Sequence, residues 1–311
     1  MKTTINQPEI TPLTVHPTAN EILYFLDEIN LRLHPSVTST QKLIPTKIRC
    51  IDDSIGGFAL GELIAIAARP EMGKTQLLSQ LALQFSTQKS VLMMSAIDSA
   101  TELSVRLIST TFGIPFDHIQ FNNLSLAEKE LLRNTEVEFK NNRLKIGAYR
   151  GSSVETLLNF IIEKIDTTGV EIICIDEPVL LPIITSSTNQ SSMIFSLYQG
   201  LKNIATEKQV CIVFTCPIKA EVETESFSSR PRLVYVNNCD ILEQVVDKLF
   251  FMYRPEYYDC EVDEDNQPLY NKVVLSMAIN RKGSLHSWDI YPDKKFTRFG
   301  EKEEMKIKQS I

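Results

Sequence analysis

No apolar run in this chain of 311 residues is long enough to span a bilayer. Its opening, Met1-Lys-Thr-Thr-Ile-Asn-Gln7, lacks the apolar core of a secretion signal. Positive charge is not in excess either. Lys and Arg number 32 against 39 Asp and Glu, a formal net charge of -7. That argues against a globally basic nucleic-acid binder and leaves a local basic patch open. The six cysteines (Cys50, Cys174, Cys211, Cys216, Cys239 and Cys260) show no metal-ligand spacing and read as buried thiols of a reducing cytoplasm. There is no internal repeat and no low-complexity block. What is left, 43% hydrophobic and 23% charged residues, is the make-up of a globular chain, one large domain or two small ones.

The most informative stretch is Glu62-Leu-Ile-Ala-Ile-Ala-Ala-Arg-Pro-Glu-Met-Gly-Lys-Thr-Gln76. An apolar run, Leu63 to Ala67, ends in a loop that closes on Gly73, Lys74 and Thr75. A helical pattern follows at Leu77, Leu78, Leu81, Ala82 and Leu83. Strand, loop, helix is the order a phosphate-binding loop needs, because amides at a helix N-terminus face the anion and the helix dipole favours its charge. The candidate ligand residues are Ala68, Arg69, Pro70, Glu71, Met72, Gly73, Lys74, Thr75 and Gln76. Lys74 would reach the β- and γ-phosphates of ATP, and the Thr75 hydroxyl would hold Mg²⁺. The usual pattern opens with glycine, which is missing here: Ala68 stands in its place. The bland alternative is an ordinary strand-to-helix turn. About a hundred residues on, Ile172-Ile-Cys-Ile-Asp176 is an apolar strand ending in a carboxylate, the expected second Mg²⁺-side element. Glu177 follows directly.

Strands alternate with helices along the chain: Val91–Ala96, Leu144–Ile146, Val210–Cys216 and Val273–Ala278 read as strands. The alternation implies an α/β fold with a twisted, mostly parallel sheet and helices on both faces. Ser152-Ser-Val-Glu155 reads as a capping box, and residues 184–194 as a polar loop. Residues 1–19, with Pro8, Pro12 and Pro17, read as a flexible arm, and residues 300–311 as a frayed, charged tail. Between residues 20 and 45 lie a short helix (Ile22, Leu23, Phe25, Leu26, Ile29, Leu31 and Leu33) and a linker. That helix is too short to form a core alone, so it docks either on its own domain or on a neighbouring subunit.

From Ile44-Pro-Thr46 through Gly56-Gly57 to Ala68-Arg-Pro-Glu-Met-Gly-Lys-Thr75, the chain resembles the C-terminal motor domain of the DnaB-type replicative helicases. These are RecA-like P-loop ATPases. The resemblance runs over roughly residues 20–299. It includes Arg230-Pro-Arg-Leu233, Glu243-Gln244, Tyr253-Arg-Pro-Glu-Tyr-Tyr258 and Arg281. It implies a RecA-like domain over residues 46–299 and ATP with Mg²⁺ held by Thr75 and Asp176. It further implies a homo-oligomeric ring or hexamer joined through the linker helix, single-stranded DNA as partner and a cytoplasmic location. Arg281 would be the finger that reaches a neighbour's γ-phosphate, unless it is a surface loop cation.

Several family residues are absent. The strand ending Ser-Leu-Glu-Met in the family, whose Glu polarises the attacking water, ends here in Ser95, Ala96, Ile97 and Asp98. Asp98, one residue late, would face the other way in extended chain. The γ-phosphate-sensing Gln is replaced by Cys216 or Pro217. The Arg-Glu-Ser-Gly that cradles DNA is Asn237-Asn-Cys-Asp240, and the Lys beside the finger is Ile279, with Lys282 nearby. One reading gives the vacated role to Glu177 or Asp98; the other leaves Glu177 a solvated loop charge. Two functions follow. One is an ATP-driven helicase acting on single-stranded DNA in replication of a bacterial, phage or mobile-element genome. The other is an ATP-binding adaptor, loader or regulator without efficient hydrolysis. A weaker third is a RecA-like signalling or recombination ATPase.

Overall fold

Leu63–Ala68 forms strand β1, and all six side chains are buried. A parallel strand covered on both faces is written as a continuous apolar run rather than an alternation. The alternation survives in the packing. Leu63, Ala65 and Ala67 join one core cluster, while Ile64, Ile66 and Ala68 join another on the opposite face. The computed structural model describes residues 43–133, 139, 143–149, 153–218, 239–258, 262 and 269–307. The arm at 1–19, the helix of the linker, Asn237 and Asn238 with the loop before them, and most of the acidic excursion at 259–270 lie outside the described residues.

The remaining strands are β2 (Val91–Ser95), β3 (Leu144–Ala148), β4 (Ile172–Asp176), β5 (Cys211–Pro217), β6 (Lys248–Tyr253), β7 (Val273–Asn280), β8 (Ser287–Pro292) and β9 (Phe299–Gly300). They form one sheet in the order β3-β2-β4-β5-β1-β6-β7-β8-β9. From β3 across to β6 every pair is parallel; β7, β8 and β9 extend the sheet antiparallel. The C-terminal ends of β1, β2, β4 and β5 therefore share one edge, where α/β folds place ligands.

Helices α1 (Arg49–Ile55), α2 (Lys74–Ser86) and α3 (Ala100–Phe112) cover one face. Two short helices, α4 (Phe116–Gln120) and α5 (Leu126–Leu132), follow. The other face is covered by α6 (Val154–Thr168), α8 (Gln190–Lys208) and α9 (Cys239–Val245). Helix α6 is capped one residue later than expected. The N-cap is Ser153, and its box partner is Thr156 rather than Glu155. The polar stretch 184–194 is not a loop. It contains the end of α7 (Pro182–Thr185), with Ile184 buried, and the start of α8. Lys302–Ile307 is a helix, α10, whose Met305 is buried, where a frayed tail was expected.

A charged cluster closes the opposite edge of the sheet. Glu62, 1% exposed, accepts a hydrogen bond from the Ala59 amide at 3.0 Å and pairs with buried Lys248. Asp247 accepts from the Leu63 amide at 2.8 Å and from Lys202 at 2.6 Å. Each buried carboxylate meets both a cation and an amide, so neither is left uncompensated.

Gly57 is held at φ 111°, where Ile44 pairs with Phe58. A Cβ there would lie 2.2 Å from the Ile44 carbonyl oxygen. We expect Gly57→Ala to destabilise the domain by about 3 kcal/mol through strain and steric conflict. A thermal midpoint equal to wild type would refute this.

Candidate functional site

The loop after β1 is shaped by its backbone. Glu71 sits at φ 64° and Gly73 at φ 98°. A Cβ on Gly73 would meet Phe299 at 2.8 Å and Met252 at 3.3 Å, so a larger residue would push the loop off its wall. Gly73 offers α2 no side-chain cap, so no side chain there occupies the first-turn amides an anion would use. Met72 is buried. The Arg69 guanidinium donates to the Ile218 carbonyl at 3.4 Å, and Pro70 begins the turn. The Gln76 amide donates inward, to Thr110 Oγ1 at 2.6 Å and to the Thr297 carbonyl. Its side chain is a structural tie to the far end of the chain; only its backbone N–H is on offer to a ligand.

Lys74 is 6% exposed. Its ammonium donates to the carbonyls of Ala68 and Arg69, both at 3.1 Å, and to Glu177 Oε1 at 2.9 Å. The Thr75 hydroxyl lies 3.0 and 3.1 Å from the two oxygens of Asp176. Asp176 also accepts from Thr215 Oγ1 at 2.9 Å and from Ser95 Oγ at 3.4 Å. Burial pushes the Asp176 carboxyl above its ordinary range, and the charge of Glu177 pushes the same way. The Thr215 and Thr75 hydrogen bonds oppose them. A hydroxyl and a buried carboxylate within hydrogen-bond distance fit the donor set of a hydrated Mg²⁺, whose charge would favour ionised Asp176.

Glu177 is 6% exposed, so it is not a solvated loop charge. It takes the left-handed region, φ 48°, and its amide donates to Thr215 Oγ1 at 2.8 Å. Thr215 thus holds Asp176 and Glu177 together; a hydroxyl inside an apolar strand is the only mark it leaves in the sequence. Asp98 is not on an extended strand, because β2 stops at Ser95. The chain then bends, with Ser95 Oγ accepting the amides of Ile97 and Asp98 at 3.1 and 2.9 Å. Asp98 itself pairs with Arg106 at 2.9 Å, and Ile97 is half exposed. Cys216 is fully buried at the end of β5, its thiol pushed up to about 12 by burial.

Lys74, Thr75, Asp176 and Glu177 are therefore brought together. Arg281 is not with them. It follows β7 at the opposite sheet edge, where its guanidinium donates to the carbonyls of Val246 (2.7 Å) and Glu243 (2.6 Å) at the end of α9. A cation there suits the helix dipole. Beside the loop lies a cavity of about 770 Å³, lined by Arg254, Glu256, Asn271, Tyr291, Phe296 and Lys302 among others. Arg254 stacks over Phe296 at 4.1 Å and donates to the Glu71 carbonyl at 3.4 Å, so cavity and loop share a wall.

This arrangement accompanies a clear kinship. The family described as DnaB-like helicase C terminal domain matches residues 44–301. The chain belongs to that family. It is 26% identical over 285 residues to the replicative DNA helicase DnaB of Rickettsia typhi, covering 84% of this chain and 57% of that protein. It is 25% identical over 262 residues to the replicative DNA helicase DnaC of Bacillus subtilis, covering 82% of this chain and 56% of that protein. The chain thus spans a little over half the length of these curated relatives. Among solved structures it resembles one described as an ATPase domain, with TM-score 0.77, 24% identity and coverage of 92% of this chain and 99% of that one. A DnaB-like replicative helicase, studied with its interactions with primase, gives TM-score 0.76 at 24% identity, over 91% of this chain and 68% of that one. These neighbours share the RecA-like fold. Among the described residues no helix is long and apolar enough to cross a membrane.

Within this DnaB-like domain, Asp176 carries a testable signature. Its folded-state pKa is raised, so the native state holds its proton more tightly than the unfolded chain. Stability from this group is present at low pH and is lost as pH rises through the raised pKa. Without metal, Asp176→Asn should melt higher than wild type at neutral pH, with the gap closing toward acid. A lower midpoint at neutral pH would contradict the burial argument.

Proposed function

We propose that this chain is the ATP-hydrolysing motor domain of a DnaB-like helicase and that it binds ATP with Mg²⁺ at the loop of residues 68–76. The observation that carries the reading is the convergence of Lys74, Thr75, Asp176 and Glu177 at one sheet edge. Lys74 would neutralise the β- and γ-phosphates. Thr75 and, through water, Asp176 would hold the metal, which would neutralise charge developing on the phosphates. The neighbouring cavity, with its Arg254–Phe296 stack and Tyr291, suits a planar base and its ribose. Glu177 is the carboxylate left to orient water, since Asp98 is committed to Arg106 and Ile97 has no carboxylate.

A ring of such domains would place the nucleotide between subunits and act on single-stranded DNA during replication. Arg281 would serve as the trans finger only by leaving the carbonyls it now caps. The second reading, an ATP-binding adaptor, loader or regulator with slow turnover, is favoured by specific residues. These are Ile97, buried Cys216 in place of an amide sensor, and exposed Asp240 at the start of α9, where an anion opposes phosphate contact.

Lys74→Ala should abolish MgATP binding by calorimetry; retained tight binding would overturn the pocket assignment. Glu177→Gln should lower steady-state phosphate release by about 100-fold if it orients the water, and an unchanged rate removes it from the chemistry. Phosphate release measured with and without single-stranded DNA, beside a sizing run with ATP, separates the motor from the adaptor. DNA stimulation of a ring supports the first; slow, unstimulated turnover supports the second.

A further inference from the structure

An ammonium group has three N–H donors and no acceptor. In Lys74 all three have partners: the Ala68 carbonyl, the Arg69 carbonyl and Glu177 Oε1. A phosphate can therefore take a hydrogen bond from Lys74 only by displacing one of them. The two carbonyls belong to the end of β1 and the loop, whose shape is set by Phe299 and Met252 against Gly73. Glu177 is different. Its side chain is bound through one oxygen alone, because Oε2 is buried and has no hydrogen-bond partner. Of the three partners only Glu177 is a side chain, so it can leave without moving loop backbone, and leaving relieves the cost of its bare buried oxygen.

Glu177 is also the last fixed point before a chain segment that turns. It begins the 3₁₀ turn Pro178–Leu180, which leads into α7 and then α8. Its own backbone, at φ 48°, is in a region that a non-glycine residue occupies only when its surroundings impose it. Once a phosphate arrives at Lys74, two anions share one buried cation, and their repulsion at a few ångströms in a water-poor site is large.

From this geometry we infer that Glu177 is a phosphate-displaced gate. It neutralises Lys74 while the loop is empty and surrenders it to the β- and γ-phosphates. Its release then repositions residues 178–190. The inference rests on the nucleotide reading above. It gives a phosphate-responsive role to Glu177 in a chain whose β5 ends in Cys216 and Pro217. The gate lowers apparent affinity, because an empty pocket is competent only when the pair is open. Glu177 acts here as a positioning residue through Lys74.

The test is calorimetry of the full chain with MgADP and with Mg²⁺ and a non-hydrolysable ATP analogue. Glu177→Gln removes the charge at constant size, and we expect it to tighten both ligands by about tenfold. Its unliganded melting midpoint should fall, since the buried Lys74 charge loses its counterion. A residue of purely structural importance would weaken both properties together. Unchanged or weaker binding in Glu177→Gln, with wild type binding normally, overturns the gate and leaves the nucleotide reading standing. No binding in either protein overturns both. Should the variant fail to fold, hydrogen–deuterium exchange of wild type decides. The analogue should raise exchange within residues 178–190; equal or slower exchange there overturns the gate.

Discussion

A carboxylate buried at the end of a parallel strand has to find hydrogen bonds where water is scarce. Asp176 finds them in three hydroxyls, Thr75 on α2, Thr215 on β5 and Ser95 on β2. Each comes from a different element, so one side chain sets the relative placement of two neighbouring strands and the helix that follows the loop. Leaving such a group unpaired would cost about 1–3 kcal/mol, and more for the charged form. The rest of the site is built outward from this point. The Thr215 hydroxyl also receives the Glu177 amide, Glu177 receives Lys74, and Lys74 closes back onto the loop carbonyls.

Two of the departures that the resemblance suggested, Ile97 and Cys216, lie beside the loop, while Ile279 lies near the end of β7 by the opposite edge. Position 97, beyond the end of β2, carries no carboxylate, and the carboxylate within reach of Lys74 is Glu177, directly after β4. At the opposite edge, Arg281 and Lys282 are engaged within the chain, by the end of α9 and by Glu62 at 3.3 Å. Both edges of the sheet are therefore stapled by buried or half-buried charge. A cavity large enough for a small ligand, about 770 Å³, lies beside the edge carrying the loop.

Much of this was legible in the residues. Buried parallel strands are written as apolar runs; β1 was readable because its run leads into the Gly-Lys-Thr loop, and β4 because its run ends in a carboxylate. Thr215 was not, because its role depends on β5 lying beside β4, and adjacency leaves no spacing in the sequence. The partner of Glu177 was hidden for the same cause. Gln76 lies on a buried helix face, where a polar residue reads as solvent-facing until its partners 34 and 221 residues away are known. Residues 184–194 have the Ser, Thr and Asn content of a loop, yet Ile184 and Ile194 anchor helices at either end. Two adjacent serines made the α6 cap ambiguous by one position. Asp98 escapes the alternation of extended chain because β2 ends before it.

The wall behind the loop comes from the far end of the chain. Gln80 exchanges two hydrogen bonds with the backbone of Phe299, both at 2.7 Å, and the Phe299 ring fills the space beside Gly73. Loop and wall are separated by more than two hundred residues. During translation the loop thus leaves the ribosome long before the strand that shapes it. The growing polypeptide carries the whole Gly-Lys-Thr motif yet has no finished cradle until β9 is made, so competence for ligand trails the motif by more than two hundred residues of synthesis.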